Sequence, residues 1–67
     1  MGLNSNELLE YLMGYIDNEI EITDFRNKSA SFYLKGEIEG ILMMLEVIGL
    51  DRMADKISRR YSDYIGG

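Results

Sequence analysis

The stretch Phe32-Tyr33-Leu34-Lys35-Gly36-Glu37-Ile38-Glu39-Gly40-Ile41-Leu42-Met43-Met44-Leu45-Glu46-Val47-Ile48-Gly49-Leu50 is apolar on too many sides for a surface helix. At about 100° per residue, Leu34, Ile38, Ile41, Leu45 and Ile48 form one stripe. Phe32, Gly36, Gly40, Met43 and Val47 form a second, roughly opposite, with Tyr33 and Met44 at its edge. Lys28, Lys35, Glu39 and Glu46 hold the narrow strip left for water, and Leu42 intrudes on it. A surface helix needs one apolar face; a helix with two is central, and something must cover both sides. A chain of 67 residues has few helices of its own to do that, so a partner is implied.

Composition points the same way. A domain this small buries only about 60% of the surface its unfolded chain exposes. Such domains usually gain reinforcement from disulfides, a metal or oligomerisation. The chain has no cysteine and no histidine, so disulfides, thiolate chemistry and nearly all zinc sites fall away, and oligomerisation remains. No cofactor or metal is expected. An apolar fraction of 46%, with five Tyr and two Phe, argues against disorder. Glu37, Glu39 and Glu46 interrupt the best candidate for the ~20 apolar residues of a membrane span. The start of the chain lacks the basic-then-apolar layout of a signal peptide. Met1-Gly2 invites a myristoylation reading, but Asn6 stands where Ser or Thr is required. A cytoplasmic protein is the expectation, and the absence of cysteine fits a reducing compartment.

The organisation reads as an all-α, three-helix domain with a long central helix, its bundle completed by dimerisation. The first helix spans about residues 5–20. Asn4 can cap it, Glu7 sits where a capping-box Glu reaches back, and Leu3 and Leu8 are spaced for a hydrophobic staple. Leu8, Leu9, Leu12, Met13, Tyr15, Ile16 and Ile20 share one broad face, into which Glu19 intrudes. The second helix is placed at about 24–48, capped by Thr23 or Asp24, with Phe25 and Ser29 continuing the glycine face. A shorter helix capped by Asn27 or Ser29 is the alternative, and the β-branched run around Ile20-Glu21-Ile22-Thr23 competes as a brief extended segment. Gly49 suits the left-handed C′ position, with Leu50 packing back on Leu45 in a Schellman motif. Asp51 then caps a third helix at about 52–65, which turns Met53, Ala54, Ile57, Tyr61, Tyr64 and Ile65 inward and sets Asp55–Arg59 and Arg59–Asp63 facing out. Gly66-Gly67 reads as a frayed end.

The candidate dimer or partner interface is Phe32, Tyr33, Gly36, Gly40, Met43, Met44 and Val47. The Gly36–Gly40 spacing lets two backbones approach closely, a role best attested in membrane helices. Two interior glycines each cost about 0.8–1.0 kcal/mol relative to alanine, so a close contact is the simplest reason to tolerate them. That contact is either a crossing by the first or third helix or a helix-to-helix contact in a dimer. The methionines serve ordinary core filling or, alternatively, an adaptable recognition surface. Glu7, Glu10, Asp17, Glu21 and Asp24 fall within one ~100° sector if the first helix persists that far. A solvated face is the plain reading; an acidic docking face for a basic protein, or one that imitates nucleic-acid phosphates, is the sharper one. Glu37, caught between apolar faces, is read as a half-buried carboxylate bonded to a Tyr or Arg.

Catalysis is not expected, because a general acid–base pair needs carboxylates in a water-poor pocket that three short helices rarely enclose. Nucleic-acid binding is disfavoured by a net charge of -5. The second helix, Gly49 and the third helix do suggest a helix-turn-helix. That motif wants a small residue four before the Gly and apolar residues six and nine after it; here stand Leu45, Asp55 and Ser58, and Arg59-Arg60 come late. The expectation is a homodimeric protein–protein interaction module of regulatory, adaptor or inhibitor type. An acidic nucleic-acid mimic is the alternative, and helix-turn-helix DNA binding is third. The general look, a tiny acidic helical chain without Cys, His or Pro, is that of small accessory proteins of bacteria and their phages.

Overall fold

Residues 4–66 are described in the computed structural model, and among them there are four helices and no strand: α1 (Ser5–Ile22), α2 (Lys28–Val47), α3 (Asp51–Arg60) and α4 (Ser62–Ile65). Leu3 of the staple, Met1-Gly2 of the myristoylation reading, and Gly67 lie outside the described residues.

Helix α1 begins as its capping box dictates. The Asn4 side chain accepts from the Glu7 amide at 2.8 Å, and the Glu7 carboxylate accepts from the Asn4 amide at 3.2 Å. Two of the amides that a helix start leaves without partners are thereby satisfied. At the other end the Thr23 hydroxyl donates to the Glu19 carbonyl at 2.5 Å as the chain turns extended. The brief extended segment that competes at Ile20-Glu21-Ile22-Thr23 does not form, because Ile20, Glu21 and Ile22 are helical and only Thr23 turns extended.

Helix α2 starts at Lys28, not at residue 24. Asp24 is occupied in a turn: its carboxylate accepts from the Arg26 amide at 3.0 Å and its carbonyl from the Asn27 amide at 2.9 Å. Asn27 then caps the helix, accepting from the amides of Ser29 and Ala30 at 2.9 and 3.3 Å. Phe25 thus stands off the helix, its ring 5.8 Å from that of Tyr64.

The C-terminal end of α2 is a full Schellman motif. Gly49 takes φ +87°, the Leu50 amide donates to the Leu45 carbonyl at 2.8 Å, and the Gly49 amide to that of Glu46 at 3.1 Å. Leu50, not Asp51, is the N-cap of α3, with no side-chain cap bond. Asp51 is the first helical residue, where its charge still favours the helix dipole.

The expected third helix is interrupted at Tyr61, leaving α3 and the short α4. The interruption coincides with a tertiary bond. The buried Tyr61 hydroxyl reaches α1, where it lies 2.7 Å from Asp17 Oδ1 and 3.0 Å from the Met13 carbonyl oxygen. Arg60 adds an ion pair to Asp17 at 3.4 Å and donates to the Tyr61 hydroxyl at 3.1 Å.

Helix α2 packs on α1, α3 and α4, most closely on α3. The core is Ile16 from α1, Leu34, Ile38 and Leu45 from α2, Met53, Ala54 and Ile57 from α3, and Tyr61. Ile41 and Leu42 are half-buried against it. Ile48 and Tyr64, expected inward, are exposed: Ile48 stands on the rim of the space between α1 and α2, and Tyr64 sets its ring beside Phe25.

Candidate interaction face

The side of α2 facing away from the core is uncovered. Val47 is 80% exposed, Phe32 and Tyr33 70%, and Met43 and Met44 64%. Between them Gly36 and Gly40 open a notch: a Cβ built on either glycine would meet nothing within 4 Å. Neither α1 nor α3 crosses there, so the intrachain explanation of the glycine spacing is overturned. These helices pack on the opposite stripe, and among the described residues no other element reaches the notch. The sequence-derived interface residues therefore do share one exposed strip, with the glycines at its middle.

The strip is flanked on one side by Lys28, Lys35, Glu39 and Glu46, none of which forms an ion pair with another described residue. On the other side it meets a shallow apolar groove between α1 and α2. Leu8 and Leu12 form one wall, and Gly40, Ile41, Met44 and Ile48 the other. Periodicity within each helix could not reveal this groove, since it depends on how far apart the two axes lie.

A carboxylate cluster lies in the same seam. The Tyr15 hydroxyl donates to Glu37 Oε2 at 2.5 Å, as the half-buried reading of Glu37 anticipates. This bond is the first cause that raises the Tyr15 pKa from 10.0 to about 12, since the phenol proton is held by a carboxylate. The other oxygen, Oε1, is buried and has no partner among the described residues. Glu19 of α1 has its pKa raised, first by the hydrogen bond its protonated form makes with Glu37, then by burial, then by repulsion from Glu37. A proton on Glu19 is thus a donor at hand for Glu37. Sequence reasoning noted Glu19 and Glu37 separately as misplaced acids; only the α1–α2 register brings them together.

The expected acidic docking face is divided among different tasks. Glu7 is engaged in the capping box, Asp17 is bound by Tyr61 and Arg60, and Asp24 lies past the end of α1 with Arg26 at 3.1 Å. Glu10 and Glu21 are exposed on α1. Among the described residues, no helix is long and apolar enough to cross a membrane. The chain matches no protein-family model, no curated protein and no solved structure.

Proposed function

We propose that this protein is a small cytoplasmic protein–protein interaction module, of regulatory, adaptor or inhibitor type, that works as a homodimer joined through the outer face of α2. One observation carries the reading: five large apolar side chains stand exposed in a single strip around two uncovered glycines. Monomeric soluble proteins rarely leave contiguous apolar patches of more than a few hundred Å² in water. With roughly 100 Å² or more exposed per side chain, the five offer on the order of 500–600 Å² per copy. With the flanking charges and groove rim this approaches the ~800 Å² per partner of a standard interface.

The phosphate-mimic alternative draws less support, because Asp17 and Asp24 are paired with arginines rather than presented. DNA reading draws less still. Arg59 and Arg60 are engaged with Asp55 and Asp17 at 3.1 and 3.4 Å.

Sedimentation equilibrium at micromolar concentration tests the proposal. The native chain should sediment as a dimer, and Met43→Glu/Val47→Glu as a helical monomer. A native monomer with a cooperative thermal transition would sink the reading.

A further inference from the structure

We infer that the two copies join with their α2 helices antiparallel, about a twofold axis passing α2 at the level of Glu37. The inference rests on the dimer reading above and adds the identity and orientation of what covers the face: a second copy, reversed.

The charge order beside the strip gives the direction. Along one flank of α2 run Lys28, Lys35, Glu39 and Glu46, two positive charges followed by two negative. In a twofold pair of antiparallel helices, a given flank of one helix faces the same flank of the other, running the opposite way. Lys28 then meets Glu46 of the partner subunit, and Lys35 meets Glu39 of the partner subunit. Both pairings are satisfied by a single axis position. In a parallel pair this flank instead faces the opposite flank, which here is the groove and the α1 seam with its Glu37 carboxylate. Charged flank positions set partner orientation in helix pairs in this way.

Two further features agree with the same axis. It falls within the Gly36–Gly40 segment, where the open notch lets two backbones approach. Antiparallel packing also sets the positive N-terminal end of each α2 beside the negative C-terminal end of the other. The strip runs from Phe32 to Val47, so a reversed copy centred near Glu37 overlaps most of its length.

The chain has no cysteine, so single cysteines report position without background. Ser29→Cys and Val47→Cys stand at opposite ends of the face and outside the proposed ion pairs. Residues 29 and 47 are about 27 Å apart along one helix. When the two variants are mixed and oxidised, antiparallel packing predicts a mixed 29–47 disulfide in excess over either self-disulfide. Dimers with only 29–29 and 47–47 links would overturn the orientation and leave the dimer standing. A dimer that forms none of these links would overturn the placement on this face. A monomer by sedimentation would remove the dimer reading itself. A charge exchange gives an independent readout: Lys28→Glu should weaken the dimer several-fold, and Lys28→Glu/Glu46→Lys should restore it. Failure of the second change to restore binding would overturn the register.

Discussion

The two sides of α2 are nearly matched in apolar content and differ in what covers them. On the inner side Leu34, Ile38 and Leu45 keep 2%, 0% and 4% of their surface; on the outer side no residue from Phe32 to Val47 in the strip is less than 64% exposed apart from the glycines. The difference is one of shape rather than of hydrophobicity. The inner stripe is continuous and branched, suited to the ridges of α1 and α3. The outer stripe is large at its ends and hollow in the middle, which suits a single straight helix lying across it. Apolar pattern alone therefore does not separate a face that the chain itself buries from one that it leaves exposed.

The largest effect should come from the inner side. Ile38 is fully buried in the core, so Ile38→Ala leaves a cavity there and should cost about 2–5 kcal/mol, read as a large fall in melting temperature by circular dichroism. The same truncation of outer Met43 should leave the monomer's melting nearly unchanged and weaken only association. An equal loss of monomer stability from both would erase the distinction between the faces.

Gly40→Leu sharpens the comparison. In the dimer, overpacking the notch should cost about 1–3 kcal/mol and lower the sedimenting mass. Nothing among the described residues meets a Cβ there. In the background of Met43→Glu/Val47→Glu, the same change should therefore raise stability, by under about 1 kcal/mol, through helix propensity alone. A gain in both settings would mean that the glycines face only water.

The smallest effect concerns the seam that bounds the groove. Glu19 binds its proton more tightly in the folded chain than its ordinary value of 4.5 implies, while Glu37, Tyr15 and Tyr33 are the titratable groups around this seam. The native state then holds the extra proton in the interval above that value. The stabilisation is complete at lower pH and is lost as pH rises through the raised pKa. Melting temperatures taken from about pH 4 to pH 7 should show this decline in the native chain and a flatter profile in Glu19→Gln. An identical slope in both would remove Glu19 from the seam.

Much of this was legible in the residues because it is local or periodic. The capping box at Asn4 and Glu7, the Schellman corner at Gly49 and the two stripes of α2 each follow from spacing alone. The start of α2 was not, since Asp24 and Asn27 are both good caps and the Arg26 and Asn27 amides decided between them. Nor was the role of Asp17, which looks like one more solvated acid until Tyr61 arrives from the far end of the chain. The outer face is legible as apolar in the sequence, but its glycines are equally compatible there with an internal crossing. Only the positions of α1 and α3 removed that option.

The corner at Gly49 and the Tyr61–Asp17 bond also set an order of assembly. Joining α2 to α3 closes a loop of a few residues, whereas seating Tyr61 against Asp17 closes one of 44. The difference in closure entropy is about 2 kcal/mol. The α1–α2 and α2–α3 pairs, each joined by a short connection, should therefore form first, and the seating of Tyr61 against Asp17 should come last. Helix α1 approaches α2 less extensively than α3 does, so α1 should be the flap that opens first, exposing its amides to solvent exchange while those of α2 remain protected. The groove walled by Leu8 and Leu12 is thus the line along which the molecule parts.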